Sequence, residues 1–168
     1  MKIKYFALFL MVTSPVLISP NAQAQEREGA FGDWTSYSRT ENGNKICYAI
    51  SEPQSKRPGT VNHGDVYFMI ASWKSGAASE QPSLITGYTL KAERPPNAKV
   101  GNTRYPMYAS ANEAYIEDNR DERNLVAKMR SGSLMRVEAV SERGTNVSYE
   151  FSLKGITAAL RNVKANCA

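Results

Sequence analysis

The single histidine, His63, is the first residue whose type could support catalysis. It lies in Asn62-His63-Gly64-Asp65, which predicts a turn between two strands, with an aspartate close in sequence. A serine-histidine-aspartate site also needs a serine held on a strained turn of its own, and no Gly-x-Ser-x-Gly motif occurs. We therefore interpret His63 as an ordinary, exposed loop histidine and expect no catalytic residue.

Four carboxylates and two arginines lie close together in residues 117–123. A calcium loop places its oxygen ligands on alternate residues around a central glycine. This segment has no glycine, and its arginines would neutralise a cation site. We expect a solvated charged turn with no metal ion, and no pattern in the chain indicates a cofactor.

Basic residues and tyrosines are the residue types that could contact a partner. The basic segments 55–59 and 91–104 could touch an anionic lipid, lipopolysaccharide or an acidic partner, although a pair of solvated loops is the better interpretation. Exposure of Tyr105, Tyr108 and Tyr115 would favour a recognition surface. Half-buried strand tyrosines explain these three residues equally well.

The chain has only two cysteines, Cys47 and Cys167. Two are too few for a four-cysteine zinc site, and their separation excludes the close C-x-x-C spacing of a redox pair. In an oxidising compartment we expect a structural disulfide between them. It would close a loop of about 120 residues and stabilise the fold by up to about 4–5 kcal/mol.

The first 24 residues have the pattern of a secretory signal peptide. Lys2 and Lys4 provide the positive start, residues 5–12 are apolar, and Ala22-Gln23-Ala24 is a small-x-small cleavage site. We therefore expect cleavage after Ala24 and a single domain over residues 25–168. Removing two lysines lowers the formal net charge from 21 − 16 = +5 to 19 − 16 = +3, which is too weak for a nucleic-acid-binding protein.

Alternating apolar residues predict that most of the exported part is β-structure. Residues 147–153 alternate strictly between apolar and polar. In residues 45–51 we expect Ile46, Tyr48 and Ile50 to face inward, and Pro106 indicates an edge strand. The other expected strands are 34–38, 66–73, 84–91, 105–109, 114–117, 124–130 and 134–140.

One helix is expected, at the C-terminus. Ile156, Ala159, Leu160 and Val163 are spaced as one face of a helix, and Gly155 can cap it. Many short strands with one terminal helix predict a mainly β protein. We expect an antiparallel β-sandwich or flattened barrel with one C-terminal α-helix.

Several segments together resemble the invasion-associated locus B family of exported bacterial proteins. They are Phe31-Gly32-Asp33-Trp34, Lys45-Ile46-Cys47-Tyr48-Ala49-Ile50, Val66-Tyr67-Phe68-Met69-Ile70, Ser141-Glu142-Arg143-Gly144-Thr145 and residues 151–160. The resemblance implies a β-rich protein of Gram-negative bacteria, periplasmic, secreted or associated with the outer membrane, and a link to host-cell entry. Members often carry a cysteine where this chain has Ser38, and its absence strengthens the pairing of Cys47 with Cys167.

These observations favour a non-enzymatic interaction module of the cell envelope with a protein or envelope-surface partner. We expect no nucleic-acid partner and no membrane-spanning helix. The first alternative is a small periplasmic hydrolase, which a cleft holding His63 or a tight cluster of acids would favour. The second is a small-ligand-binding protein, which an enclosed apolar cavity would favour.

Overall fold

The chain folds mainly into antiparallel strands, with two helices late in the sequence. The computed structural model describes residues 25–168, and the predicted signal segment 1–24 lies outside the described residues. The strands are β1 (Glu26–Phe31), β2 (Trp34–Glu41), β3 (Asn44–Ser51), β4 (Ser55–Arg57), β5 (Val66–Trp73), β6 (Gln81–Thr86), β7 (Asn97–Val100), β8 (Thr103–Ser110), β9 (Glu113–Ile116), β10 (Leu134–Val140) and β11 (Asn146–Ser152), and the helices are α1 (Asn119–Ser131) and α2 (Ile156–Asn166).

The strands form one antiparallel sheet in the order β1-β2-β3-β5-β6-β9-β8-β7-β10-β11-β4. Strand β8 joins its two halves, because residues 103–106 pair with β7 and residues 107–110 pair with β9. We call β1, β2, β3, β5, β6, β9 and the second half of β8 the front sheet. The first half of β8 with β7, β10, β11 and β4 is the back sheet. The end strands β1 and β4 do not pair with each other, so the sheet is not closed into a barrel.

The two halves face each other across the core. The rings of Phe68 in β5 and Phe151 in β11 have centroids 5.7 Å apart. The Trp34 indole of β2 donates a hydrogen bond of 2.9 Å to the Ser152 carbonyl of β11. These contacts connect the front and back sheets and confirm the predicted antiparallel, sandwich-like β fold.

The strict alternation in β11 correctly identifies its buried face. Val147, Tyr149 and Phe151 are buried in the core, and the polar residues between them are more exposed. Strand β5 spans the predicted residues, with Val66, Phe68 and Ile70 in the core. Period-two burial of apolar side chains is therefore the main reason that these segments form strands.

Helix α2 begins close to where its periodicity predicts. Ile156, Ala159, Leu160 and Val163 are all buried in the main core. Gly155 precedes the helix with a φ of 95°, and a Cβ built there would lie 1.8 Å from the Phe31 carbonyl oxygen. Only glycine fits this position without movement of the backbone, because both the conformation and the contact exclude a side chain.

Two predictions are wrong at helix α1. Residues 117–123 are not simply a charged turn but include the start of the helix, and residues 124–130 are helical where a strand was expected. The Asp118 carboxylate accepts hydrogen bonds from the backbone N–H groups of Arg120 and Asp121 at 2.8 and 3.2 Å, which caps the helix. The buried residues of the helix are Leu125, Val126 and Met129. This apolar stripe is short, so the strongly charged residues around it obscure its helical spacing.

The expected orientation of β3 is also wrong. Cys47 and Ala49 belong to the main core, whereas Ile46 and Tyr48 lie on the opposite face of the sheet. Both faces of this strand carry apolar residues, so the alternation alone does not decide which face is inward.

Several strand assignments differ from the prediction. The sequence did not indicate β1, β4 or β7, and the strand expected at 84–91 is β6, which ends at Thr86. Pro106 ends the first half of β8, which pairs with β7 alone and is therefore the edge of the back sheet, in agreement with the expected edge position. It pairs with Asn97 at the point where β8 changes its partner from β7 to β9.

Helix α2 packs against the inner side of the front sheet, in contact with β1, β2, β3 and β5. The Ser36 hydroxyl donates a hydrogen bond of 2.8 Å to the Asn162 side chain of the helix. Cys167, directly after α2, is disulfide-bonded to Cys47 of β3, as predicted. The helix is therefore held to the sheet by burial, a polar contact and a covalent bond.

Candidate interaction surface

His63 is a buried structural residue, which corrects the expectation of an exposed loop histidine. Its side chain is 6% exposed. Its Nδ1 atom lies 2.9 Å from the Tyr149 hydroxyl, and its Nε2 atom lies 2.9 Å from the Pro58 carbonyl oxygen. Its partners are a backbone carbonyl and the hydroxyl of the fully buried Tyr149, so the ring does not contact a nucleophile that a substrate could reach.

Tyr149 extends this polar contact into the core. Its hydroxyl lies 2.5 Å from the Tyr88 hydroxyl. Burial, followed by the hydrogen bond with Tyr88, raises the pKa of Tyr149 above its ordinary value. Ser141 lines the same groove as His63, but its hydroxyl accepts a hydrogen bond of 3.1 Å from the Thr145 backbone N–H. Histidine and serine therefore do not form a base–nucleophile pair.

The acidic segment has a local structural role at the start of α1. Hydrogen bonds from the Arg120 and Asp121 backbone N–H groups lower the pKa of Asp118. Within residues 25–168, no group of three or more histidine, cysteine or acidic side chains could hold a metal ion.

The outer face of the back sheet is charged. Its exposed or partly exposed cations include Arg57, Lys99, Arg104 and Arg136, and Arg136 forms an ion pair with Glu150. The predicted basic loops therefore include strands, since 55–57 is β4 and 91–104 contains β7. A polar outer face is the usual arrangement for an antiparallel sheet with one side in water.

The outer face of the front sheet is instead apolar and rich in aromatic residues. Strand pairing aligns its residues in rows, and directly opposed residues share a face of the sheet. One row contains, in order across the sheet, Thr35, Ile50, Met69, Ser83, Tyr115 and Tyr108. We define the aromatic face as the apolar side chains of this surface: Tyr37, Ile46, Tyr48, Ile50, Tyr67, Met69, Ala71, Trp73, Ile85, Tyr108 and Tyr115.

Side chains on the aromatic face pack against one another. The rings of Tyr37 and Tyr48 stack with centroids 5.7 Å apart, and those of Tyr108 and Tyr115 are also 5.7 Å apart. The Arg39 guanidinium lies over the Tyr48 ring, 5.6 Å from its centroid. Burial raises the pKa of Tyr48, and the Arg39 charge partly opposes this effect. These contacts hold several large side chains in a fixed arrangement.

Within residues 25–168, no helix or back-sheet residue covers the part of the aromatic face formed by β2, β3 and β5. That cluster contains Ile46, Tyr48 and Ala71, with partly buried neighbours from the same three strands. The buried apolar residues of both helices belong to the separate main core. Tyr37, Ile50, Met69 and Trp73 are therefore left partly exposed. An exposed apolar patch of this kind is typical of a protein-binding surface.

Of the three tyrosines considered for a recognition surface, two lie on the aromatic face. Tyr108 is 45% exposed and Tyr115 is partly exposed, whereas Tyr105 is only 4% exposed. The sequence does not identify Tyr37 and Trp73 as surface residues, because its pattern predicts the wrong face of β3 to be inward. In the correct orientation, strand pairing places both residues beside Tyr48 and Ile46.

Comparison with known proteins gives a family match over most of the chain. The family described as invasion associated locus B (IalB) protein matches residues 34–164. No curated protein and no solved structure matches the chain. Among the described residues, no helix is both long and apolar enough to cross a membrane.

Proposed function

The chain belongs to the invasion-associated locus B family, and from this membership and the aromatic face we propose that it is an exported envelope protein that binds another protein. The aromatic face is the observation that carries the proposal. It combines tyrosine, tryptophan and methionine, which are enriched at protein–protein interfaces. Packing already restricts several of these side chains, which lowers the entropy cost of binding.

Two features of the chain, one in its sequence and one in its structure, support export to the periplasm or beyond. Residues 1–24 have the pattern of a cleavable signal. The only two cysteines are joined in a disulfide, and such bonds persist mainly in oxidising compartments. Cell fractionation, together with the mass of the mature chain, tests this location and the cleavage after Ala24. Full-length protein in the cytosol would contradict export.

The proposed activity is binding without catalysis. A hydrolase built on His63 would need its ring to contact an accessible nucleophile, whereas its partners are the fully buried Tyr149 hydroxyl and the Pro58 carbonyl. The carboxylates at the start of α1 include the helix cap, Asp118. Neither feature provides the base and nucleophile that hydrolysis by covalent catalysis needs.

Site-specific photocrosslinking in intact cells tests the binding proposal. A photoreactive phenylalanine analogue replaces Tyr37 on the aromatic face and, as a control, Lys99 on the outer face of the back sheet. We expect a discrete protein adduct from position 37 and little or none from position 99. Equal adducts from both positions, or none from position 37 in a correctly exported protein, would overturn the proposal.

A further inference from the structure

We infer that the segment bound by the aromatic face carries lysine or arginine beside apolar side chains, because this face ends in three carboxylates that the described chain leaves without a cation partner. This inference rests on the proposed binding function. It adds the chemical class of the partner: a cationic, partly apolar protein segment.

The three carboxylates belong to Glu52, Asp65 and Glu113 and surround the end of the aromatic face at Tyr67. Strand pairing places Tyr67 opposite Ile85, and Ile85 opposite Glu113. Asp65 directly precedes β5, and Glu52 directly follows β3. Burial and the negative charges of Asp65 and Glu52 raise the pKa of Tyr67, which is consistent with this proximity. We call these three residues the acidic end.

No cationic side chain among residues 25–168 forms an ion pair with the acidic end. The five ion pairs found in this part of the chain use other carboxylates, those of Glu28, Glu41, Glu80, Asp118 and Glu150. Glu52 and Asp65 are exposed, and Glu113 is partly exposed. Their negative charge is therefore available to steer and select a positively charged partner.

The opposite end of the aromatic face has a different charge arrangement. Arg39 is paired with Ile46, which is paired with Trp73, and its guanidinium lies 3.3 Å from the Glu41 carboxylate. This ion pair balances the charge of Arg39 within the chain. The stacking of Arg39 on Tyr48 also shows that a guanidinium fits against an aromatic ring of this face.

The charge of the acidic end favours a protein segment over a membrane surface. Negative lipid headgroups attract basic protein surfaces and would be repelled by the acidic end. An apolar segment with a nearby lysine or arginine would cover the aromatic face while its cation lies beside Tyr67. Face-to-face pairing with a second copy of this chain is less suitable, because the cation of its aromatic face, Arg39, is already paired with Glu41.

The test uses the protein exported in cells, with the photoreactive group at Thr35, which lies in the row of Ile50 and Met69. In one variant, E52Q, D65N and E113Q remove the acidic end. A matched control, E93Q, E138Q and E142Q, makes the same change in net charge at exposed positions outside the aromatic face. We expect the adduct yield to fall about fivefold in the first variant and to be unchanged in the control.

Mass spectrometry of the adduct identifies the captured segment. Lysine or arginine within the segment, together with loss of the adduct in added salt, supports the inference. An adduct that forms equally well without the acidic end, a lipid adduct or a second copy of this chain would overturn it and leave binding at this face intact. No adduct from either Thr35 or Tyr37 would overturn the proposed function itself.

Discussion

Cys47 and Cys167 are covalently joined with their Cα atoms 5.8 Å apart, although 120 positions separate them in sequence. The bond links β3 to the end of α2 on the inner side of the front sheet. Because side chains alternate along a strand, the next residue, Tyr48, lies on the outer side. The same strand therefore supplies a covalent anchor to one face and an aromatic residue to the other.

Replacing both cysteines, as C47S with C167S, should lower the free energy of unfolding by about 4–5 kcal/mol, because the open chain gains entropy when unfolded. Urea unfolding followed by circular dichroism measures the change. Reductant should destabilise the natural chain and have no effect on the double variant. A loss below about 1 kcal/mol would show that the bond contributes little.

The substitution G155A should destabilise the protein more than G43A. Both glycines have a positive φ, 95° and 78°, but a Cβ at Gly43 has open space around it, whereas one at Gly155 meets the Phe31 carbonyl. We expect a loss of about 1–2 kcal/mol at position 43 from conformation alone, and a clearly larger loss at position 155. Equal losses in thermal unfolding would contradict the steric argument.

The sequence predicts the sheet well where one face is strictly apolar, as in β11, and it predicts α2 from four buried residues in helical spacing. It fails at α1, where three buried residues lie among many charged ones. A better signal was available there. Asp118 at the cap, acids in the first turn and bases in the last turn are the usual marks of a helix.

The candidate surface was harder to predict, because it depends on which face of β3 is inward. Cys47 and Tyr48 are adjacent and both apolar, so local pattern cannot choose between them. The choice is made by α2, which packs on the Cys47 side. The acidic end is likewise assembled from residues distant in sequence, Glu52, Asp65 and Glu113, which only the pairing of strands brings to one surface.

Removing the Tyr149 hydroxyl should destabilise the protein although no carbon atom is lost. In Y149F, the His63 Nδ1 atom and the Tyr88 hydroxyl each lose a hydrogen-bond partner inside the protein. His63 is buried, and leaving a buried polar group unsatisfied costs about 1–3 kcal/mol. The control, Y108F, changes an exposed tyrosine and should alter stability by less than about 0.5 kcal/mol. Chemical denaturation of the two variants distinguishes a structural hydrogen-bond network from a dispensable one.

Lowering the pH should destabilise helix α1, because it protonates the Asp118 carboxylate that caps the helix. Hydrogen bonds from the Arg120 and Asp121 N–H groups lower the pKa of this carboxyl in the folded protein. The ionised carboxylate therefore stabilises the fold above the pKa of the unfolded chain, and this stabilisation is lost as the pH falls through the lower pKa of the folded protein. D118N retains a capping side chain without a charge. Unfolding midpoints measured between about pH 7 and pH 2 should therefore depend less on pH in D118N. An identical pH dependence in both proteins would contradict this role.

Truncating the aromatic face should weaken binding strongly while the fold persists. Tyr37 and Trp73 are partly exposed and belong to the cluster separate from the main core, so Y37S with W73S removes contact area at modest cost in stability. Loss of aromatic anchor residues at an interface commonly costs about 2 kcal/mol or more, a decrease in affinity of roughly thirtyfold. We expect crosslinking from Thr35 to be lost in the double variant while its disulfide and circular dichroism spectrum are retained. F151A is the control for damage to the fold, because removing this core ring should lower the free energy of unfolding by about 3–5 kcal/mol. Persistent crosslinking in the folded double variant would show that the partner binds elsewhere.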